Sequence, residues 1–168
     1  TYTPELIRRM KELVDAADVI TPNLTETCML LGEECPPVMS VAQARSWLAR
    51  LSDKPGIVVI KGVPLIDDDG QKLSNVGFDK ESGSFWRIDW DHIPVHYPGT
   101  GDIFTSVLTA SLLKGESLPI ALNRATTFTE IAVKTTYSYG TEPRLGVLFE
   151  DCLSWLMTNT VLCDYRKL

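Results

Sequence analysis

The chain has 168 residues and a formal net charge of −6, and 44% of its residues are hydrophobic. This length and composition predict one globular domain and exclude a chain that is disordered throughout. The acidic balance argues against a nucleic-acid-binding protein, and no apolar run approaches the roughly 18 residues that a membrane span needs. The first residues show no signal-peptide pattern, so we expect a cytoplasmic protein.

The cysteines form neither a metal-binding nor a redox motif. None of the four belongs to a C-x-x-C pair, and His92 and His96 lie far from all of them in sequence. These spacings disfavour a zinc site. Cys28 and Cys152 fall in apolar helical patterns, where a cysteine is usually a small buried hydrophobe. We therefore expect a reducing compartment and no structural disulfide.

The first third of the chain alternates helices with short strands. Thr3, Pro4 and Glu5 form a helix-start signal, with an N-cap residue, a proline at the first position and an acid in the first turn. Ser40 opens a later helix with a capping box. The β-branched run Ile57-Val58-Val59-Ile60 is typical of a strand buried on both faces. In chain order we predict helix 3–17, strand 18–21, helices 24–31 and 40–51, and strand 56–63.

The pattern changes after the buried strand. Residues 72–79 and 85–93 predict two strands around a turn at 80–83, and the second strand alternates its side chains with a period of two. This pattern indicates an antiparallel hairpin inserted into the strand–helix alternation. A loop with two prolines and two glycines follows at 94–101. Helices are then predicted over about 102–113, 117–135 and 143–157.

The number of strands is small for the number of helices. Strand–helix alternation with a buried β-branched strand predicts a parallel sheet flanked by helices. Only two strands of the parallel type are visible, and two strands offer too little surface to bury the apolar faces of so many helices. We therefore interpret the chain as part of a larger sheet.

The loop before the long apolar helix carries the clearest chemical signal. Its last residues are Gly99-Thr100-Gly101-Asp102, and the two glycines let backbone amides converge on one point without obstruction by Cβ. A helix N-terminus binds anions, and a carboxylate in its first turn can accept a proton from a hydroxyl group. Together these features suit phosphoryl transfer to a hydroxyl. An ordinary tight turn with an acid at a helix start has the same sequence.

Two other positions lie where open parallel sheets bind ligands. Asn23 and Glu26 join a strand end to a helix start, and an acid there could hold Mg²⁺ through water molecules. The alternative is a helix cap with the two residues in reciprocal positions. Lys61 and Gly62 follow the buried strand, where a lysine could contact nucleotide phosphates and a glycine would let a ligand approach the backbone. The alternative for Lys61 is a strand-end lysine that points to water.

Taken in chain order, these segments resemble the ribokinase-like superfamily and, more closely, its pyridoxal (vitamin B6) kinases. The segment 17–23 is similar to the strand that leads into their N-x-x-E motif, and 99–108 is similar to the start of their catalytic helix. The G-T-G-D tetrad is shared by sugar, nucleoside and pyrimidine kinases, so it indicates the superfamily more than the substrate. Less distinctive similarities occur at Ala125-x-x-Phe128, at Pro143-Arg144-x-Gly146 and at Leu148-x-Glu150.

The resemblance implies a role for each matching residue. Asp102 would be the catalytic base for the substrate hydroxymethyl group, and Gly99, Thr100 and Gly101 would form the anion hole around the γ-phosphate. In the implied nucleotide site, Asn23 and Glu26 would organise Mg²⁺ and the phosphates, with Glu26 acting mostly through water. Lys61 and Gly62 would line the site. Weaker candidates for the lining are Val95, His96 and Phe128, and His96 is equally compatible with an exposed loop.

The resemblance also implies a larger protein. In these kinases the first half of the chain supplies the central strands and most of the vitamin pocket, and that half has no counterpart here. Residues 1–168 would be the C-terminal, ATP-binding and catalytic part of one ribokinase-like domain. The fold class expected is the C-terminal portion of a three-layer α/β/α fold, with a β-hairpin insertion and several C-terminal helices. A truncated chain, a proteolytic fragment and a partner chain remain open as explanations.

The function implied is ATP-dependent phosphorylation of the 5′-hydroxymethyl group of pyridoxal, pyridoxine or pyridoxamine. The expected cofactors are ATP and Mg²⁺, the expected partners are a small-molecule vitamer and a second copy of the chain, and neither nucleic acid nor a membrane is expected. One alternative is a hydroxymethylpyrimidine kinase of the same superfamily. Another is a non-catalytic nucleotide-binding module, against which Asn23, Glu26 and Asp102 argue by occurring together.

Overall fold

The computed structural model describes residues 3–158 and 163–168. The chain divides into two units, which are Thr1–Asp89 together with Arg166–Leu168, and Trp90–Tyr165. In the described part of the chain, no helix is both long enough and apolar enough to cross a membrane.

The first unit is a mixed sheet with three helices. Its strands follow the order β1-β3-β4-β5-β6, and β2 pairs with β3 outside that path. Both β1 and β2 run parallel to β3, whereas β4 runs antiparallel to it. The helices are α1 (Pro4–Asp15), α2 (Leu24–Leu31) and α3 (Val41–Leu51), and the strands are β1 (Val19–Ile20), β2 (Met39–Ser40), β3 (Ile57–Asp67), β4 (Gly70–Asp79), β5 (Ser84–Trp90) and β6 (Arg166–Lys167).

The apolar run that predicts a buried strand forms the centre of this unit. Val58, Val59 and Ile60 are fully buried in β3. Met39 and Leu48 pack in the same cluster, and neither side chain is exposed. Burying a side chain of this size contributes about 1.5–3 kcal/mol each, so this cluster stabilises the sheet and fixes α3 against it.

Strand β3 is longer than its sequence pattern predicts. We expected it to end at Val63 with Lys61 and Gly62 at its carboxyl end, but it continues to Asp67 and returns as β4. The pairing with β4 shifts register between Ile60 and Val63, and Gly62 has a φ of +66° there. The prediction of a strand end is therefore wrong. Lys61 and Gly62 form an irregularity inside a strand, because the chain can continue pairing with β4 beyond the bulge.

A charged network ties the hairpin to the last strand. Arg87 is 3% exposed and donates hydrogen bonds to Asp67 and Asp89. Arg166 also bonds to Asp89, which accepts a further hydrogen bond from Ser74. Burial by itself would raise the pKa of Asp89, but its bonds to Ser74 and Arg87 hold the pKa below the usual value. The Arg87 guanidinium also lowers the pKa of Asp67.

Cys28 and Cys35 form a disulfide, so the expectation of none is wrong. Their Cα atoms lie 5.6 Å apart. The reason lies in Gly32, which ends α2 in the left-handed conformation and turns the chain back along the helix. Cys35 thereby returns to the first turn of α2, with its Sγ 3.9 Å from the carbonyl oxygen of Leu24. The spacing in sequence gave no sign of this return.

The second unit is helical. Helix α4 spans Thr100–Leu113 and packs against α5, which spans Leu118–Tyr139. Leu108 and Leu122 are fully buried within this pair. After α5 come two short 3₁₀ turns, Pro143–Leu145 and Glu150–Cys152, and the four-residue helix α6, Leu153–Leu156.

The single helix predicted over 143–157 is wrong. The chain there is broken at Gly146, whose φ of +83° and ψ of −160° are incompatible with a helix. The hydrophobic spacing of this segment instead reflects residues that line one side of a cavity. Over about 15 residues, the spacing of hydrophobic side chains does not distinguish an amphipathic helix from an irregular segment with one buried side.

Candidate active site

Helix α4 begins without a side-chain cap. Gly99 is its N-cap residue, in the left-handed conformation with a φ of +87°. A side chain would be strained in this conformation, so the position requires glycine. The first helical hydrogen bond runs from the amide of Ile103 to the carbonyl of Gly99. The amides of Thr100, Gly101 and Asp102 precede it and point out of the helix start, as an anion site requires.

The carboxylate of Asp102 lies in the first turn of α4 and is exposed. Two neighbouring threonines stabilise the turn around it. The hydroxyl of Thr100 donates to the carbonyl of Tyr97 at 3.2 Å, and that of Thr105 donates to the carbonyl of Gly101 at 2.9 Å. Because these bonds hold the backbone on both sides, the carboxylate projects from an ordered turn.

An open cavity of about 920 Å³ runs along α4 within the second unit. Its lining includes Pro98, Gly99 and Asp102 from the start of α4, Lys114 from the end of that helix, and Arg124 from α5. Arg124 pairs with Glu116 at 2.7 Å and lowers the pKa of that carboxyl. The wall opposite α4 is largely apolar and comes from 145–158, with Leu145, Val147, Phe149, Leu153, Leu156 and Met157. The cavity therefore combines the amides and carboxylate at the start of α4 with an apolar wall formed by 145–158.

The segment 145–158 is the part of this cavity that sequence reasoning missed. The sequence pattern predicts a regular helix here, whereas these hydrophobic residues lie in an irregular segment that lines the cavity. The signal that could have found it is Gly146, because a glycine two residues after Arg144 and within an apolar segment favours a break.

The three weaker candidates of this unit have different surroundings. Phe128 on α5 is 1% exposed, lines the cavity, and has its ring centroid 6.1 Å from that of Trp155. Val95 is half-buried in the loop before α4, where its amide bonds to the carbonyl of Ile93 at 2.7 Å. His96 in the same loop is exposed. Phe128 thus borders the same cavity as Asp102, whereas the cavity lining does not include Val95.

In the first unit, Asn23 and Glu26 form a reciprocal capping box at the start of α2. The amide of Glu26 donates to Asn23 Oδ1, and the amide of Asn23 donates to Glu26 Oε2, each at 2.8 Å. The structural alternative for this motif is therefore present. The capping box does not exclude a role for this motif in ligand binding, since a side-chain oxygen that accepts one hydrogen bond has a second lone pair.

Lys61 and Gly62 lie beside this box. Asn23 and Lys61 form an isolated parallel bridge, in which the amide of Lys61 donates to the carbonyl of Pro22 at 2.9 Å. The amide of Gly62 donates to Asn75 Oδ1 at 3.0 Å. The structure thus brings together the four residues predicted for the first unit. Asn75, which holds the bulge at Gly62, had no signal in the sequence.

The metal-binding side chains near Asn23 suit a cation that binds together with a nucleotide. Among the residues described, no three His, Cys, Asp or Glu side chains cluster as a metal site would require. Mg²⁺ in kinases is typically bound by one or two carboxylates together with phosphates and water. Glu26 supplies one such carboxylate, so the residues present fit a metal–nucleotide complex.

Comparison with known proteins identifies the family. A family model described as phosphomethylpyrimidine kinase matches residues 1–145. The chain belongs to this family. The resemblance to ribokinase-like kinases is confirmed, because solved structures of pyridoxal kinases and of phosphomethylpyrimidine kinases share the fold. The predicted α/β fold class is confirmed by the same structures.

Three relatives show how far the similarity extends. The hydroxymethylpyrimidine/phosphomethylpyrimidine kinase of Haemophilus influenzae is 30% identical over 77% of this chain and 48% of that protein. A Bacteroides thetaiotaomicron protein assigned to the phosphomethylpyrimidine kinases, crystallised with pyridoxal, is 38% identical with a TM-score of 0.91, over 100% of this chain and 59% of that one. The pyridoxal kinase of Lactobacillus plantarum is 28% identical with a TM-score of 0.79, over 93% and 55%. The chain thus spans about half the length of the curated relatives it matches.

Proposed function

We propose that the protein transfers the γ-phosphoryl group of MgATP to the 5′-hydroxymethyl group of a B6 vitamer. The observation that carries the proposal is the start of α4, where an uncapped helix N-terminus and the exposed Asp102 carboxylate border one cavity. The amides can stabilise charge on the transferred phosphoryl group, and the carboxylate can accept the hydroxyl proton. These are the two groups that phosphoryl transfer to an alcohol requires.

The assigned roles follow the local geometry. Asp102 acts as the general base, and Gly99, Thr100 and Gly101 form the anion hole. The positive φ of Gly99 supports this role, because it opens the helix start without a side chain over the amides. The Asp102 carboxylate accepts the proton as the oxygen of the substrate hydroxyl group attacks phosphorus, so it does not have to remove that proton beforehand.

The nucleotide and its metal ion are assigned to the remaining predicted residues. Asn23 and Glu26 organise Mg²⁺ and the phosphates, and Lys61 and Gly62 line the nucleotide site. When bound, Mg²⁺ neutralises charge on the phosphate oxygens. The bulge at Gly62 supports the lining role, because it interrupts β3 beside the capping box. Val95 and Phe128 complete the proposed ATP-binding set.

A hydroxymethylpyrimidine is the second candidate for the phosphoryl acceptor. The matching family model and the H. influenzae relative carry the pyrimidine kinase description. The pyridoxal in the crystal of the B. thetaiotaomicron protein favours the vitamer. Both acceptors are planar heteroaromatic rings with a hydroxymethyl group, so the catalytic chemistry proposed for Asp102 is the same.

The chain acts within a larger unit in this proposal. Residues 1–168 are the ATP-binding and catalytic part of one ribokinase-like domain, and relatives of about twice this length support that assignment. We also propose a cytoplasmic homodimer that binds neither nucleic acid nor a membrane.

The test is turnover by the full-length protein and its Asp102→Ala variant. Pyridoxal, pyridoxine, pyridoxamine and hydroxymethylpyrimidine are assayed with MgATP, and calorimetry measures MgATP binding. We expect the wild type to phosphorylate a vitamer fastest, and the variant to lose at least about 10²-fold in kcat while binding MgATP within about twofold. Asp151→Asn, which changes an exposed aspartate on a 3₁₀ turn, is the matched control.

Each outcome has a distinct meaning. Faster turnover of the pyrimidine would replace the vitamer as acceptor and leave the chemistry intact. MgATP binding without turnover of any acceptor would identify a non-catalytic nucleotide-binding protein. Wild-type turnover by the Asp102→Ala variant would refute the base assignment.

A further inference from the structure

Gly146 occupies a backbone conformation that only glycine adopts readily. Its φ is +83° and its ψ is −160°. This region of backbone space is essentially restricted to glycine, because a Cβ atom would meet the adjacent peptide groups. The segment that contains it therefore has a shape that no other residue type would produce without strain.

A second observation shows what surrounds this glycine. A Cβ atom built on Gly146 would lie 3.4 Å from the carbonyl oxygen of Pro98. Pro98 directly precedes Gly99, the residue that opens α4. Gly146 therefore lets the segment 145–158, called the covering segment below, approach the backbone of the turn to which we assign phosphate binding.

The covering segment is fixed from behind. The amide of Leu148 donates a hydrogen bond of 2.9 Å to the hydroxyl of Thr136, which is fully buried on α5. That hydroxyl in turn donates to the carbonyl of Ala132 at 2.7 Å. The amide of Gly146 bonds to the carbonyl of Pro143 at 3.1 Å. These bonds anchor the segment to α5 and to its own first turn.

The turn at Pro98 is held on its other side as well. The hydroxyl of Thr100 donates to the carbonyl of Tyr97, and Tyr97 is 3% exposed. The peptide between Pro98 and Gly99 thus lies next to this hydrogen bond, and its carbonyl oxygen is within contact distance of a Cβ at residue 146. Its orientation sets the direction in which the first amides of α4 point.

We propose that Gly146 is a positioning residue for the phosphate-binding turn. It acts through Pro98 and does not contact the reacting atoms. The proposal rests on the function proposed above for Gly99, Thr100 and Gly101. An alanine at residue 146 would be strained in this conformation, and its Cβ would stand at contact distance from the Pro98 carbonyl. Relief of the strain would shift the segment against that carbonyl and turn the amides away from the developing charge. Small misplacements of this kind lower the rate of the chemical step more than they lower binding.

The test compares two glycine substitutions. Gly146→Ala introduces both backbone strain and the contact with Pro98. Gly115→Ala also places a Cβ at a positive φ, of +82°, but a Cβ there would meet nothing within 4 Å. We expect Gly146→Ala to lower kcat per folded enzyme by about tenfold and to change the KM for ATP by less than about threefold. Gly115→Ala should leave both values as in the wild type.

A second readout does not depend on turnover. In ¹⁵N-labelled protein without nucleotide, Gly146→Ala should shift the amide resonances of Gly99, Thr100 and Gly101, and Gly115→Ala should not. If Gly146→Ala fails to fold, Thr136→Val removes the anchoring hydroxyl instead. We expect the same amides to shift and kcat to fall by less than in Gly146→Ala, about threefold, because the segment keeps its glycine conformation and loses one anchoring bond.

The outcomes separate this inference from the function on which it rests. Unshifted amides together with unchanged kcat in Gly146→Ala would overturn the positioning role. Equal effects of Gly146→Ala and Gly115→Ala would also overturn it, because strain alone would then explain both. A wild-type protein that neither binds nor hydrolyses MgATP would refute the proposed function, while the amide shifts would still decide whether Gly146 positions the turn.

Discussion

The starts of α2 and α4 both carry predicted ligand-binding residues, yet they are built in opposite ways. At α2, Asn23 and Glu26 bond to each other's backbone and satisfy the helix start from within the chain. At α4, Gly99 supplies no side chain, and the first amides lack a side-chain cap. A capped start contributes to stability, whereas an uncapped one is available to a ligand. We therefore expect α4 to contribute more of the phosphate affinity.

The same contrast separates two aspartates. Asp89 bonds to Ser74, Arg87 and Arg166, and its side chain is 17% exposed. Asp102 is exposed and makes no hydrogen bond or ion pair with the described residues. A carboxylate with several partners stabilises the fold in its charged form. An exposed carboxylate in a cavity can instead contact a ligand.

The largest effect on stability should come from removing the partner of Asp89. Arg87→Met leaves that carboxylate half-buried without its main cation, so we expect a loss of about 3 kcal/mol in the free energy of unfolding at pH 7. Asp102→Asn should leave the free energy of unfolding unchanged. Urea unfolding of both variants measures the difference, and equal losses would break the contrast between the two aspartates.

The pH dependence of the Arg87→Met effect has a definite sign. The folded pKa values of Asp67 and Asp89 are lowered, so their contribution is present above the ordinary aspartate pKa of about 3.9. It is lost as the pH falls through the lowered folded pKa values. The stability difference between wild type and Arg87→Met should therefore shrink below about pH 4, and a difference that grows in acid would contradict the network.

An intermediate effect is expected at the open helix start. Gly99→Ala places a Cβ in the left-handed conformation, which costs roughly 1–2 kcal/mol of stability. It should also weaken MgATP binding, because the altered turn redirects the amides of α4. Calorimetry of Gly99→Ala against Gly140→Ala, which changes another left-handed glycine at the end of α5, isolates the binding effect. Equal MgATP affinity in both variants would contradict a phosphate role for Gly99.

The smallest effect is expected at the capped start. Asn23→Ala removes one capping bond of α2 and should destabilise the protein by about 1 kcal/mol, whereas Asn23→Ser should retain most of the stability. Thermal unfolding of the two variants measures this difference. If Asn23→Ser is as stable as the wild type but binds MgATP more weakly, the amide of Asn23 also serves the nucleotide. If its MgATP affinity is unchanged, α2 is a structural cap only.

Much of the fold was predictable because its signals are local. The helix starts at Thr3, Asn23 and Ser40 carry the N-cap bonds that their sequences predict, although at Ser40 only one half of the predicted capping box is present. An N-cap and its partner amide lie within three residues. The hairpin was also predictable from its strands and turn, although β4 begins at Gly70 and β5 ends at Trp90. Bonds that span only a few residues depend little on what packs around them.

The misses involve residues that are far apart in sequence or that depend on irregular backbone. The extension of β3 to Asp67 depends on pairing with β4, and the Cys28–Cys35 disulfide depends on a reversal at Gly32. The short strand β6, for which we predicted no strand, pairs with β5. Periodicity of hydrophobic residues reports none of these events, because each requires two separated segments to meet.

By itself, the sequence determined the helix starts, the buried centre of the sheet and the G-T-G-D turn with its acid. Only the tertiary structure decided that Lys61 and Gly62 form a bulge beside Asn23, that an irregular segment covers α4, and that Gly146 lies against Pro98. The physical reason is the separation in sequence of the residues that interact. Caps and turns are set by bonds within one helical turn, whereas the shape around Asp102 is set by the close packing of segments more than forty residues apart.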